Sequence, residues 1–344
     1  MLGCFLEVEI KCASGFISEH NFIFIGKTDN IDECYVITDV PNINNFKGKV
    51  IGLINETPII SNLILSKKEL YNIFSKKYKD NINLILCELT YEDLLFDIKR
   101  SGIKSFDKLM IHSSLKSVGK IVGGPEVLIE AFKNVMTEGL LILPTHTWGS
   151  IREDGAEFNT SSSESCVGAL TNIARKMEGF KRSMHPTHSV CAYGKNKEEY
   201  LAYDLNAKTP VSPNGCFGKL KDMGAKILFL GAPLSKNTFI HSVEEFMDVE
   251  DRFTEHIYHF ISTDGNISKD YYMPRHFSTK SLHISEHYEK LLPTLLRCGV
   301  AKKVDIGNSV SYIVDALGCY NIVLEILKKD IHAFDDFRNI DDLV

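Results

Sequence analysis

The chain is poor in the features that mark several protein classes. Its nine cysteines are odd in number and scattered, and no two stand as Cys-x-x-Cys. A disulfide framework and a zinc ribbon are therefore excluded, and reduced thiols of a cytosolic protein are expected. Positive charge is not in excess: 39 Lys and Arg face 45 Asp and Glu, a net charge of −6. No basic footprint for nucleic acid exists. A mildly acidic surface suits a cationic substrate, although solubility explains it equally well. No apolar run reaches membrane-span length. The opening residues, MLGCFLEVEIKC, lack the basic start and long apolar core of a signal peptide. The expectation is a cytoplasmic protein with no membrane and no nucleic-acid partner. Standard catalytic fingerprints are missing too. There is no G-x-G-x-x-G, no Gly-Lys-Ser/Thr closing a phosphate loop, and no G-x-S-x-G nucleophile elbow.

What is present is an ordinary globular composition, 44% hydrophobic and 24% charged over 344 residues. Residues 1–88 read as a separate small β-rich α+β module. Apolar, β-branched runs recur at 5–10, 22–25, 35–40, 50–54 and 84–87. One helix is expected there, from the capping box Ser66 to Glu69 followed by Leu70, Ile73, Phe74 and Tyr78. No catalytic constellation occurs in this module. A structural or oligomerising appendage is its simplest role, which makes a homo-oligomer an open alternative.

Residues 89–344 alternate strands with helices, which predicts an α/β fold with a mainly parallel central sheet flanked by helices. Thr90 to Asp93 gives a helix start and Gly102 its end. Strands are expected at 109–111, 140–143, 189–193 and 226–230, with a hairpin arm at 257–262 turning at Asp264-Gly265. Helices are expected at 126–138, 286–296, 310–317 and 322–329.

The densest signal is MIHSSLKSVGKIVGG at 110–124. A strand end runs into Ser113 and Ser114, whose small side chains leave backbone amides open. Gly119, Gly123 and Gly124 remove side chains where a ligand passes the backbone. Pro125 then opens a helix. Strand, Ser/Gly loop and helix start together cradle a phosphate or an extended amide chain. A plain Gly-rich turn is equally common on spacing alone.

A second block is Arg182-Ser183-Met184-His185-Pro186-Thr187-His188-Ser189. Pro186 holds His185 extended, and Arg182 suits phosphate oxygens. A metal held by His185 and His188 finds no correctly spaced carboxylate or Cys, so no metal is expected, and His188 reads as a solvent-facing strand residue. A third is His241-Ser242-Val243-Glu244, where i,i+3 spacing puts imidazole and carboxylate on one helix face. That pair is either a solvated surface ion pair or a base with its orienting carboxylate. Thr145, His146 and Trp148 follow a strand end, where α/β sheets gather ligands. Glu153, Asp154 and Glu157 are either a solvated loop or contacts for a cation.

In the same order, His112-Ser113-Ser114-Leu115 with Gly119 and Gly123-Gly124, Leu143-Pro144-Thr145, the Arg182–Pro186 block with Ser189, Ser212-Pro213, and Thr238 with His241 and Glu244 resemble the aminoglycoside 3-N-acetyltransferase family. The resemblance runs from about Thr90 to the C-terminus. It implies acetyl-coenzyme A as donor, bound by His112, Ser113, Ser114, Leu115, Ile121, Val122, Gly123, Gly124 and Arg182. It implies His241 and Glu244 as the acid/base pair, with His185 assisting. The acceptor it implies is the 3-amino group of a deoxystreptamine aminoglycoside, a small cationic aminosugar. Thr145, His146, Trp148, Glu153, Asp154 and Glu157 would face that acceptor. Asn159 departs from the acidic residue of many relatives. Two rivals are another aminosugar or biosynthetic metabolite as acceptor, and a non-catalytic binding or scaffold protein.

Overall fold

A computed structural model describes residues 89–281 and 283–343, together with four short strands nearer the N-terminus. Contacts divide the chain into two units, Met1–Phe96 and Asp97–Val344. In the first, β1 (Lys11–Cys12) pairs antiparallel with β2 (Gly15–Phe16), and β3 (Ile23–Ile25) with β4 (Tyr35–Ile37). The last two fall within the runs expected at 22–25 and 35–40. The runs at 5–10, 50–54 and 84–87 and the helix after Ser66 lie outside the described residues.

Helix Tyr91–Arg100 starts on the expected cap. The Asp93 carboxylate accepts from the Thr90 amide at 2.9 Å, and the Thr90 hydroxyl accepts from the Asp93 amide at 3.2 Å. This reciprocal bond satisfies donors that a helix start leaves open.

The second unit is built on a seven-stranded sheet in the order β13-β14-β10-β5-β6-β9-β8. Its centre is β10 (Lys226–Leu230), β5 (Lys108–Ser113) and β6 (Leu140–Pro144), all parallel. Antiparallel strands flank them: β9 (Val190–Gly194) and β8 (Lys181–Arg182) on one side, β14 (Ser309–Asp315) and β13 (Ala301–Ile306) on the other. The α/β class and the parallel centre agree with the sequence, and the flanks add antiparallel pairing. Every residue of β6 is buried, as expected of a strand covered on both faces. On one face Met110, Ile142, Ala192, Ile227 and Phe229 join a single large core with Val243, Leu295, Val323 and Ile326. A second sheet, β12-β11-β7, consists of Ala156–Asn159 (β7), Tyr258–Asp264 (β11) and Ile267–Met273 (β12). The hairpin of β11 and β12 turns at Gly265-Asn266, one residue from the expected place.

One expectation fails. Residues 310–315 are not helix but most of β14, and only Ala316 and Leu317 are helical, as the first residues of the final helix. Ser309, Ser311 and Ile313 are buried while Val310 is exposed, a period of two. The missed signal was Gly307-Asn308 between two β-branched runs, a two-residue hairpin turn with Gly307 at φ 57°. The final helix is Ala316–Lys329, capped by the Asp315 carboxylate accepting from the Gly318 amide at 2.6 Å. The helix expected at 286–296 splits into a 3-10 segment, Ile284–Leu291, and helix Leu292–Arg297. Pro293 sits in the first turn of the latter, where its missing N–H costs nothing.

Gly194 ends β9 with φ 112°, and a Cβ there would lie 2.3 Å from the Gly139 carbonyl oxygen. Both the left-handed backbone and the close approach require glycine. Gly194→Ala is expected to destabilise the fold by about 2–4 kcal/mol in a denaturant titration; a change within error would remove this account of the β6–β9 edge.

Candidate active site

Parallel strands deliver their carboxyl ends to one edge, and that is where ligand sites form in such sheets. In register, Phe229 pairs with His112 and Leu230 with Ser113, and the Ser114 amide donates to the Leu230 carbonyl at 2.9 Å. The chain past each strand end then opens around a cavity of about 850 Å³, within the range of small-molecule sites. His112 and Ser113 line it from β5, Pro144, His146 and Trp148 from β6, and Ala232, Ser235 and Lys236 from β10.

Helix Phe239–Phe246 starts where expected, after Thr238, though without a side-chain cap. His241 lines the cavity. Its Nδ1 lies 3.0 Å from Glu244 Oε2 and 2.7 Å from the Tyr288 hydroxyl oxygen. The Tyr288 hydroxyl donates to Glu244 Oε2. Arg252 Nε donates to Glu244 Oε1 at 2.9 Å, and Arg252 Nη2 donates to Asp335 Oδ1 at 2.8 Å. Glu244 is 1% exposed, so this network, not water, solvates its charge. Burial alone would raise its pKa. The hydrogen bond and charge of His241, the charge of Arg252 and the Tyr288 hydroxyl outweigh that and lower it. Burial first, and then the Glu244 charge, push Tyr288 well above the ordinary phenol value, so it remains a donor. Both His241 contacts, to Glu244 and to Tyr288, lie on the Nδ1 side of its ring.

Four more imidazoles surround this pair on the wall. The His276 ring centre is 4.4 Å from that of His241, His188 is 5.2 Å from His276, and His146 is 4.7 Å from His188. His112 stacks on Phe229 at 5.3 Å. Burial lowers the pKa of all four, that of His112 to about 3. These rings are neutral at physiological pH; His241 is hydrogen-bonded to a carboxylate at 3.0 Å, whereas His276 Nε2 lies 3.9 Å from Glu245 Oε1. Nε2 of His112, Nε2 of His146 and both ring nitrogens of His276 are buried without a hydrogen-bond partner. Polar atoms left open on a cavity wall are sites for ligand contacts. Among the described residues no three His, Cys, Asp or Glu side chains converge as metal ligands.

Several expected site residues have other work. Arg182 is buried and points inward. Its Nε donates to the Thr145 and Ser189 hydroxyls, each at 3.0 Å, and its terminal nitrogens to the carbonyls of Thr145, Thr160 and Ser163. A guanidinium so engaged holds loops together and has no fork left for a phosphate. Thr145 is fully buried against it and is no pocket wall. His185 is also removed from the cavity. Its Nδ1 accepts from the Thr187 and His188 amides at 3.2 and 3.0 Å, and its Nε2 meets the Thr209 carbonyl at 3.2 Å. With both nitrogens occupied it fixes the turn that presents His188, which is buried on the wall rather than facing solvent. Ser114, Leu115, Ile121, Val122, Gly123 and Gly124 do not line the cavity. Between Ser113 and the glycines the chain makes one helical turn, Leu115–Val118, in place of an open loop. Gly123 and Gly124 take φ 82° and 92°, so the turn geometry itself requires them.

Glu153, Asp154 and Glu157 are exposed and off the wall. Asp154 accepts from His256 Nε2 at 2.6 Å and the His259 amide at 2.8 Å. Asn159 closes its own turn, its side-chain oxygen accepting from the Ser161 and Ser162 amides at 3.0 and 2.8 Å. His146 and Trp148 do line the cavity. Sequence reasoning missed Tyr288, Arg252 and His276. Only distance in the chain hid them, since nothing local to Tyr288 announces a partner 44 residues away.

The second unit is thus a parallel-centred α/β layer with a buried His–Glu pair in a cavity at its strand ends. The chain belongs to the aminoglycoside 3-N-acetyltransferase family, whose model matches residues 110–328. An aminoglycoside N(3')-acetyltransferase-like protein, YokD of Bacillus subtilis, is 28% identical over 45% of this chain and 64% of its own length. Aminoglycoside N(3)-acetyltransferase VII of Streptomyces paromomycinus is 28% identical over 46% of this chain and 62% of its own. The chain thus spans about six-tenths of the length of these relatives. Among solved structures, the aminoglycoside acetyltransferase AAC(3)-IVa apoenzyme superposes with a TM-score of 0.61 at 22% identity, over 72% of this chain and 91% of that one. AAC-IIIb in a binary complex with CoASH gives 0.60 at 22%, over 70% and 96%. These two likenesses show a shared fold.

Arg182→Met is expected to lower stability by about 3 kcal/mol, because buried carbonyls and hydroxyls lose a charged donor. The Michaelis constant for acetyl-coenzyme A should stay within about twofold by steady-state kinetics; a rise of tenfold or more with an unchanged melting temperature would restore Arg182 to donor binding.

Proposed function

We propose that the protein transfers an acetyl group from acetyl-coenzyme A to an amino group, with His241 as base. One observation carries this: His241 lines the cavity, and the Nδ1 side of its ring is hydrogen-bonded to the buried Glu244 carboxylate. Family membership supports acetyl-coenzyme A as donor substrate and an aminosugar as the starting expectation for the acceptor, with the 3-amino group of an aminoglycoside as its particular form. One solved neighbour is AAC-VIa bound to sisomicin.

The chemistry needs no covalent enzyme intermediate. The acceptor nitrogen attacks the thioester carbon, the new C–N bond forms and the C–S bond breaks. His241 Nε2 takes the proton that the nitrogen loses and returns it to the departing sulfur. Glu244 stabilises the imidazolium between these events, and Tyr288 and Arg252 keep that carboxylate ionised and in place. His112 and Ser113, at the end of β5, and Lys236, beyond β10, are positioned to hold the donor. Bringing the two substrates together supplies much of the acceleration. Among the described residues no helix is long and apolar enough to cross a membrane.

His241→Ala is expected to lower kcat by about 10²- to 10⁴-fold while calorimetry still detects acetyl-coenzyme A. A near-normal rate would remove His241 from the mechanism. Glu244 also links the site to stability. Its folded pKa is below the ordinary value, so its contribution is present above the unfolded carboxyl pKa and is lost as pH falls through the lower folded one. Glu244→Gln should be less stable than the parent at pH 7, and the gap should close on acidification in thermal melts; a gap independent of pH would mean the carboxylate is not ionised.

A further inference from the structure

The two ends of the cavity differ in charge. Near β5 and β10 stand Ser113, Ser235, Lys236 and the one carboxylate of the wall, Glu286. Glu286 belongs to segment Ile284–Leu291, which packs on the Lys236 turn, the Ser235 amide donating to Glu289 at 3.0 Å. Past Trp148 the wall carries Arg152 and Arg275 and no carboxylate. The first follows β6 and the second follows β12, so this end is built by the loops, away from Ser113 and Lys236.

The two arginines are held as a pair. Arg152 Nε donates to the Trp148 carbonyl at 3.3 Å, and Arg275 Nη1 donates to the Arg152 carbonyl at 3.1 Å. The Arg275 guanidinium lies 5.5 Å from the Tyr258 ring centre. Among the described residues neither forms an ion pair, whereas Arg252, the other arginine on the wall, is neutralised by Glu244 and Asp335. The nearby acids Glu153, Asp154 and Glu157 are exposed and lie off the wall. An acceptor bearing several ammonium groups would meet like charge here. Two guanidiniums with open donors match an oxyanion.

We infer that the acceptor amine belongs to a molecule that also carries a phosphate or a carboxylate, held by Arg152 and Arg275. This rests on the acetyl-transfer function proposed above and names the class of its second substrate. The cationic end also favours the uncharged form of the amine, the form that attacks.

The test measures release of free thiol from acetyl-coenzyme A with four amines: glucosamine, glucosamine 6-phosphate, muramic acid and gentamicin. One of the two anionic amines is expected to exceed both glucosamine and gentamicin in kcat/KM by at least tenfold. The phosphate or the carboxylate is identified by which one leads. In Arg275→Glu and Arg152→Glu the ratio of anionic to plain amine should fall at least tenfold, and Arg275→Lys should keep part of it; melting curves check folding. A ratio unchanged by charge reversal, or gentamicin as the best acceptor, overturns the inference and leaves acetyl transfer standing. Thiol release with none of the four also overturns it. Calorimetry with acetyl-coenzyme A then separates the causes: retained binding means that only the acceptor class was wrong, and lost binding removes the acetyltransferase function as well.

Discussion

A fully buried carboxylate, Glu244, organises this site. An ion removed from water is stable only when other groups solvate it. Here a guanidinium, a phenol and an imidazole do so, and they come from different parts of the chain: Arg252 beyond the helix, Tyr288 from the segment before Leu292–Arg297, His241 from one helical turn earlier. Arg252 in turn needs Asp335 near the C-terminus. The network is therefore complete only in the folded second unit. The charge of Glu244 cannot be satisfied until segments about ninety residues apart have met.

That dependence explains what the sequence disclosed. The parallel strands were legible because β5, β6 and β10 are short apolar runs bounded by turn residues, a local signal. His241 and Glu244 were legible because i,i+3 spacing is local as well. Their alternatives, surface ion pair or buried base, differed only in burial, which the 3.6-residue period does not report for a helix apolar on much of its surface. Tyr288 and Arg252 complete the pair through tertiary contacts alone. The helix misread at 310–317 shows the reverse problem: Val310, Ile313, Val314 and Leu317 fit a helical stripe, while the two-residue Gly307-Asn308 turn and the buried alternation of Ser309, Ser311 and Ile313 decide for a strand. Small polar residues buried in a sheet carry no hydropathy signal.

Arg182 and His185 show how a conspicuous motif can serve structure. Both sit in a dense polar block that resembles a binding site in sequence. In the fold their donors and acceptors close on main-chain groups of the loops after β6 and before β9. Those loops cannot form ladder hydrogen bonds, so buried side chains must satisfy their amides and carbonyls. The consequence for the site is indirect but definite: the block places His188 on the wall and the Thr145 main chain behind it, and so sets the position of His146 between them.

The wall then divides labour by charge. Burial keeps four imidazoles neutral around a fifth that is hydrogen-bonded to a buried carboxylate. Neutral rings add hydrogen-bonding capacity to the wall without adding charge. The fixed cations stand at the ends. Lys236 stands on the short 3-10 segment Leu234–Lys236 beyond β10, and Arg152 and Arg275 on the loops beyond β6 and β12. Loops tolerate change that strands do not, and function on a common fold is set by such grafted sites. The loops can therefore change the charge at the rim of the cavity while the parallel strands that frame it stay fixed.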